Sequence, residues 1–154
     1  MAARAFSPHG EVTATLMEAS EPPPDVQILL RDHIESYEQL ELLLLMRAAR
    51  GSTWTEETLS AQLHLAQSLV GAALERLKAG GFVEAQMHGS ERRYAYLGQS
   101  DKLEATINRL AAAYREYPIP IIKLMSANAI ERLRTSALRT FADAFILKKD
   151  KDRG

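Results

Sequence analysis

The chain has 154 residues, of which 46% are hydrophobic and 25% are charged, a composition typical of a globular protein with one domain and an appendage. It contains no cysteine, which excludes disulfide bonds and metal sites built on thiolates. No apolar run reaches the roughly 18 residues that a membrane span requires. The beginning of the chain lacks the apolar stretch of a secretory signal, so we expect a cytoplasmic protein that does not bind membranes.

The charge of the chain is unevenly distributed along its length. The net charge of −1 gives no general attraction to nucleic acid. However, residues 101–154 carry eleven basic and seven acidic side chains, whereas residues 36–100 carry six basic and seven acidic ones. The basic side chains therefore lie mainly in the C-terminal third, outside the central part of the sequence.

The N-terminal segment is predicted to be a flexible tail followed by a short helix. Residues 1–24 mix Ser, Pro, Gly and Glu and end in three consecutive prolines, which favour an extended segment. The short helix is predicted from Val26 to Ile34, with three side chains turned inward, namely Ile28, Leu29 and Ile34.

A second helix is predicted to begin after Ser36. Ser36 and Gln39 fit a capping box, in which each side chain accepts a hydrogen bond from the other residue's backbone amide. Leucines follow at helical spacing, and the helix is predicted to end near Gly51, because glycine tolerates a positive φ.

Two further short helices joined by a tight turn are predicted between Trp54 and Ala79. Thr55 is a good N-cap for the first of them, in which Leu59 and Leu63 face inward. His64 and Leu65 form the turn. The second helix is predicted from Ala66 to Ala79, and its buried stripe consists of Val70, Ala73, Leu74 and Leu77.

A β-hairpin is predicted after the double glycine that ends this helix. Residues 82–87 and 92–97 are rich enough in apolar and aromatic side chains to form two strands, although apolar and polar residues alternate only in part. The loop between the strands is predicted from His88 to Glu91.

The C-terminal residues are predicted to form helices that pair two subunits. Asp101 is the expected N-cap of the first helix, and Pro118 ends it. The rest forms one long helix, or two with a break near Thr135, and residues 148–154 are expected to fray. Apolar side chains at helical spacing form the expected dimer interface: Leu103, Ile107, Leu110, Tyr114, Ile130, Leu133, Ala137, Phe141 and Phe145.

The central segment resembles the winged helix-turn-helix superfamily of bacterial transcriptional regulators, broadly the MarR-like and PadR-like kind. The resemblance covers residues 36–98, and its motifs are Trp54-Thr55, Leu59-Ser60-Ala61-Gln62-Leu63, Leu65, Val70, Leu74-Glu75-Arg76-Leu77 and Gly80-Gly81-Phe82-Val83. It implies a mainly α fold with a small β-wing. The expected organisation is a winged helix-turn-helix domain at 25–100 and a C-terminal helical region at 101–154.

The resemblance also implies binding of double-stranded DNA. In that superfamily the second helix of the motif lies in the major groove, and the wing reaches the phosphates or the minor groove. The candidate DNA-binding residues by this comparison are Thr55, Gln67, Ser68, Gly71, Ala72, Glu75, His88, Arg92 and Arg93. The chain departs from the superfamily's pattern because its second helix offers a neutral to acidic face, with Arg76 and Lys78 only near the C-terminal end.

Two functions from different classes fit these features. The first is a DNA-binding transcriptional regulator that acts as a homodimer. The second is a winged-helix module that has lost its DNA contacts and docks a protein partner instead. No enzyme, metal site or cofactor is expected, because the four histidines lack ligand spacing and the sequence has no phosphate-binding loop or nucleophile motif.

Overall fold

The structure, a computed structural model, describes residues 21–153. Within that range the elements in chain order are α1 (Pro24–Asp32), α2 (Tyr37–Ala48), β1 (Thr53–Trp54), α3 (Glu56–Leu63), α4 (Gln67–Ala79), β2 (Val83–His88), β3 (Glu91–Tyr96), α5 (Asp101–Glu116) and α6 (Pro118–Arg153). Residues 1–20 of the predicted tail lie outside the described residues, and Pro24 already belongs to α1.

The predicted helix caps of α2 and α3 are confirmed. Ser36 Oγ accepts a hydrogen bond from the Gln39 amide at 3.2 Å, and Gln39 Oε1 accepts one from the Ser36 amide at 3.0 Å. Thr55 Oγ1 accepts from the Thr58 amide at 3.1 Å. His64 closes α3 in the left-handed conformation with φ of 55°, which directs the chain into α4.

α4 packs against α2 and α3 through the predicted stripe. Val70, Ala73, Leu74 and Leu77 are all buried. The interval of three or four residues between them places all four side chains on one face of the helix. The opposite face of α4 is left exposed to solvent, and this face is the part of the helix that is available for recognition.

The sheet has three antiparallel strands in the order β1-β3-β2, and the β2–β3 hairpin is the wing. The hairpin register pairs Val83 with Tyr96 and His88 with Glu91, so its turn is shorter than the predicted loop and consists of Gly89 and Ser90. Gly89 has φ of +67°, a conformation that favours glycine. β1 was not predicted, because a two-residue strand leaves no alternating pattern in the sequence.

α1 is a structural helix that precedes the head, by which we mean α2, α3, α4 and the three-stranded sheet. It buries Val26, Leu29 and Leu30 in the main hydrophobic core and packs against α5 and α6. The prediction that Ile28 points inward is wrong, since this side chain is 50% exposed. Because α1 contacts the C-terminal helices, the division of the chain into domains at residue 100 stays a prediction.

α5 packs into the hydrophobic core, so its predicted role in the dimer interface needs correction in part. Ile107 and Leu110 are fully buried within the chain, and the Tyr114 hydroxyl donates to Glu41 Oε1 on α2 at 2.6 Å. Leu103 is also packed against this core. The apolar seam of α5 is therefore covered by the chain's own helices, which leaves Ile107 and Leu110 no surface for a second subunit.

The N-cap of α5 is one residue earlier than predicted. Ser100 Oγ accepts from the Leu103 amide at 3.3 Å, whereas Asp101 is the first residue inside the helix. An acidic residue at that position is still favourable, since the helix N-terminus has a partial positive charge.

α6 is a single helix of 36 residues, which agrees with the first of the two predicted alternatives, one long helix without a break near Thr135. The helix continues to Arg153, so the predicted fraying of residues 148–154 is not seen within the described residues. Its first half packs onto α1 and α5 through Ile121 and Met125. From Leu133 to Lys151 every residue is exposed. None of the helices in residues 21–153 has an apolar stretch long enough to cross a bilayer.

Candidate nucleic-acid interface

The structure places several predicted recognition residues on the exposed side of α4. Gln67, Ser68 and Ala72 are exposed in its first half. Leu69, which was not among the predicted recognition residues, is 49% exposed beside them. The first turn of α4 therefore offers two polar side chains and one apolar side chain to a ligand.

The N-terminus of α4 differs from the ends of the neighbouring helices. Ser36, Thr55 and Ser100 cap α2, α3 and α5 with side-chain oxygens, but the N-cap of α4 is Ala66, which has no such atom. The first turn of α4 also contains no acidic residue. The backbone amides at the N-terminus of α4 consequently have no side-chain cap. The helix dipole favours an anion at this end.

The candidate residue Gly71 does not offer an open surface on α4. A Cβ added at this position would lie 2.7 Å from Glu56 Oε1, so the carboxylate of Glu56 lies against the glycine. Thr55 is half-buried, and its hydroxyl is occupied by the cap of α3. Of the two small candidate residues on α4, Gly71 and Ala72, only Ala72 is exposed.

Glu75 is held by cationic and phenolic partners from α4 and the wing. Its carboxylate lies 3.1 Å from Lys78 Nζ and 3.4 Å from Arg92 Nη2, and the Tyr94 hydroxyl is 3.5 Å away. The hydrogen bond from Lys78, helped by the charge of Arg92, lowers the pKa of Glu75. Glu75 therefore stays ionised and keeps Arg92 beside α4.

The two wing arginines are both engaged within the chain. Arg92 stacks over the Tyr94 ring, with its guanidinium carbon 5.5 Å from the ring centroid. Arg93 Nε donates to Glu91 Oε2 at 2.8 Å, and its Nη1 donates to Thr53 Oγ1 at 3.1 Å. His88 is exposed at the hairpin end, with Nε2 3.2 Å from Gln86 Oε1.

A groove with a volume of about 370 Å³ runs between α3, α4 and the wing, and we name it the acidic groove. It contains four carboxylates but only one guanidinium, and its lining consists of Thr55, Glu56, Glu57, Gln67, Glu75, Glu91, Arg92 and Tyr94. The groove cannot be recognised from the sequence, because the four glutamates come from three separate elements that only the packed fold brings together.

No metal site accompanies these residues in the described part of the chain. Among residues 21–153, no three His, Asp or Glu side chains are grouped in a way that could hold a metal ion.

Comparison with known proteins supports the fold. No family model matches the chain, and no curated protein is significantly similar to it. A MepR variant from S. aureus, solved bound to an oligodeoxyribonucleotide, has a TM-score of 0.50 at 10% identity and covers 90% of this chain and 99% of that chain. A MarR-family transcriptional regulator from Silicibacter pomeroyi has a TM-score of 0.47 at 15% identity and covers 86% of each chain. YusO from Bacillus subtilis has a TM-score of 0.46 at 12% identity, with 88% of this chain and 91% of that chain covered.

At these identities the likeness concerns the fold alone. The predicted fold class is confirmed, since the order of α3, turn, α4 and a three-stranded antiparallel sheet is present in a mainly helical chain. The protein has the winged helix-turn-helix fold.

Proposed function

We propose that this protein is a transcriptional regulator that binds double-stranded DNA as a homodimer. The observation that supports DNA binding most is the N-terminus of α4, which is exposed, has no side-chain cap and has no acidic residue in its first turn. This end belongs to the second helix of the helix-turn-helix, the helix that lies in the major groove when the fold binds DNA.

Each feature of this helix end has a function in the proposed complex. Backbone amides at a helix N-terminus bind phosphate, because they point outward along a favourable dipole. Gln67 and Ser68 can donate and accept hydrogen bonds at base edges, and glutamine matches adenine well. The MepR variant that shares the fold was captured on an oligodeoxyribonucleotide, an example of the same use of this fold.

The proposed dimer rests on α6. Five apolar side chains that are exposed on its outer side form what we name the α6 stripe, consisting of Ile130, Leu133, Ala137, Phe141 and Phe145. Leu133 is 72% exposed and Phe141 is 71% exposed. An apolar surface of this kind is typical of a protein contact, and a second copy paired about a twofold axis would cover both stripes at once.

The acidic groove favours a second candidate, in which the winged helix docks a basic protein. Four glutamates lie beside the helix and the wing that should contact DNA, and phosphates would be repelled by them. A partner with lysines or arginines would instead be attracted. The two candidates therefore predict opposite effects of removing the groove's charge.

The double substitution Glu56→Gln and Glu75→Gln separates the two candidates. We expect the affinity for duplex DNA to rise roughly 30-fold, because each of the two charges removed about 4 Å from a phosphate is worth about 1 kcal/mol in water. Glu75→Gln also frees Arg92, which Glu75 now holds at 3.4 Å. Fluorescence anisotropy with labelled duplex at fixed salt measures the change.

Glu116→Gln is the matched control, since this exposed glutamate at the end of α5 lies outside the groove. It removes one charge of the same kind, and the DNA affinity should change little. If the groove variant bound DNA no better than the control, the DNA path that we propose would be wrong. A loss of affinity for a basic protein partner in the same variant would favour the docking function.

A further inference from the structure

Leu69 is an exposed apolar side chain in the first turn of α4. It is 49% exposed and follows the N-cap residue Ala66 by three positions. The side chains that pack α4 against α2 and α3 are those of the buried stripe from Val70 to Leu77. Among the described residues, Leu69 belongs neither to this core nor to the partly buried side chains that pack against it. Leu69 is therefore free to contact a ligand.

The first half of α4, residues 67–73, contains no charged residue. Ala72 is exposed three residues after Leu69 on the same side of the helix, so the two side chains form an apolar surface that we name the Leu69 patch. Gln67 and Ser68 are exposed in the turn before it. Polar and apolar groups side by side suit the edges of bases, which carry both kinds of group, better than they suit phosphates.

The arginines of α4 and the wing are paired within the chain. Arg76, which lines the same surface pocket as Leu69, donates from Nη1 to Glu35 Oε2 at 2.7 Å. Arg92 and Arg93 of the wing are held by glutamates at 3.4 and 2.8 Å. Arginine and lysine are the side chains that most often read guanine in the major groove. The N-terminal half of α4 therefore lacks the usual guanine readers.

The position of Leu69 along α4 is one that reaches base edges. In helix-turn-helix proteins the N-terminal residues of the recognition helix contact the bases. Leu69 is the third residue of the helix, and a turn contains about 3.6 residues, so its side chain lies within the first turn. An apolar side chain gains nothing from a phosphate, whereas it gains from burying another apolar group away from water.

We propose that Leu69 reads the methyl groups of thymine in the major groove, so that the protein selects A·T base pairs where α4 contacts DNA. This inference rests on the DNA binding proposed above. Thymine presents its C5 methyl group in the major groove, and apolar side chains make the matching contact. The adenine of the same base pair suits the amide of Gln67. A G·C pair would instead place polar atoms against Leu69 without a hydrogen-bond partner, which is costly.

Exchange of thymine for uracil tests the contact, because uracil pairs with adenine as thymine does and lacks only the C5 methyl group. Duplexes that the full-length wild type retains from fragmented host DNA are synthesised with either base. Fluorescence anisotropy then measures the affinity for both forms. We expect the wild type to bind the uracil form about fourfold more weakly for each methyl group contacted, which is the effect of one buried CH₂ group.

Leu69→Ala should bind the thymine form more weakly, and its affinities for the two forms should be nearly equal. A general loss of folding would weaken both forms alike and leave their ratio unchanged. Ile119→Ala is the matched control, since this side chain of α6 is 59% exposed and lies outside α4 and the wing. It should keep the wild-type ratio.

Two results would overturn the thymine contact while leaving DNA binding in place. One is equal affinity of the wild type for the thymine and uracil forms. The other is a preference for thymine that Leu69→Ala leaves unchanged. Retention of no DNA at all by a folded wild type would overturn the proposed DNA binding, and this inference with it.

Discussion

Replacing Leu133 and Phe141 with aspartate should convert the proposed dimer into monomers. Both side chains are largely exposed in the single chain. Burying such a side chain is worth about 1.5–3 kcal/mol, and twofold symmetry makes each residue count twice in a dimer. We therefore expect the dissociation constant of the dimer to rise more than about 100-fold. Light scattering and sedimentation across a concentration series measure this change.

Ala142→Asp is the control for this pair, because it adds an aspartate to the same part of α6. Ala142 is exposed and adjacent to Phe141 in sequence, but it points about 100° away around the helix. The control should remain dimeric. A wild-type protein that is monomeric at micromolar concentration, or a double variant that still dimerises, would contradict the interface proposed on α6.

Removing the charge of Glu104 should lower the stability of the fold by about 3 kcal/mol at neutral pH. Glu104 on α5 joins three parts of the chain and is only 18% exposed. Its carboxylate accepts hydrogen bonds from Arg47 Nε at 3.0 Å, Arg50 Nη2 at 2.6 Å, the Tyr96 hydroxyl at 2.5 Å and the Gln99 amide at 3.0 Å. It thereby connects α5 to α2 and to the wing.

The pH dependence of stability follows from the pKa of the same group. Partial burial by itself would raise the pKa of Glu104, but the hydrogen bonds from Tyr96, Gln99, Arg47 and Arg50 outweigh it and lower the pKa from 4.5 to about 2. A carboxyl group whose pKa is lower in the folded state than in the unfolded state stabilises the fold at pH values above its unfolded-state pKa. That contribution is therefore complete above pH 4.5 and is lost as the pH falls towards 2.

Urea denaturation of the wild type and Glu104→Gln at several pH values checks both statements. The variant should be less stable at neutral pH and should lose less stability between pH 4.5 and 2 than the wild type. Glu116→Gln, which removes an exposed glutamate from the same helix, should behave like the wild type. Parallel pH curves for the wild type and Glu104→Gln would show that Glu104 does not stabilise the fold in this way.

Most of the head could be predicted because its local signals agree with one another. The capping residues Ser36 and Thr55 mark helix starts, and the stripe from Val70 to Leu77 fixes the inward face of α4. The double glycine and alternating residues mark the hairpin. Each of these features acts within a few residues, so the sequence alone contains the information.

The parts that were missed depend on contacts between distant elements. The apolar face of α5 has the same spacing whether it meets a second subunit or the chain's own α1 and α2, and only the packed fold shows that Ile107 is covered internally. Two of the partners of Glu104, Arg47 and Arg50, are more than fifty residues away in the sequence. The acidic groove likewise requires α3, α4 and the wing to be in place.

The most direct test of the proposed function is selection of DNA by the purified protein. Fragmented DNA from the host organism is incubated with the protein at moderate salt, and the retained fragments are sequenced. We expect enrichment of a recurring, roughly palindromic site, whose half-sites lie about one helical turn apart because a twofold dimer presents two copies of α4. A folded, dimeric sample that enriches no sequence would contradict DNA recognition and favour docking of a basic protein.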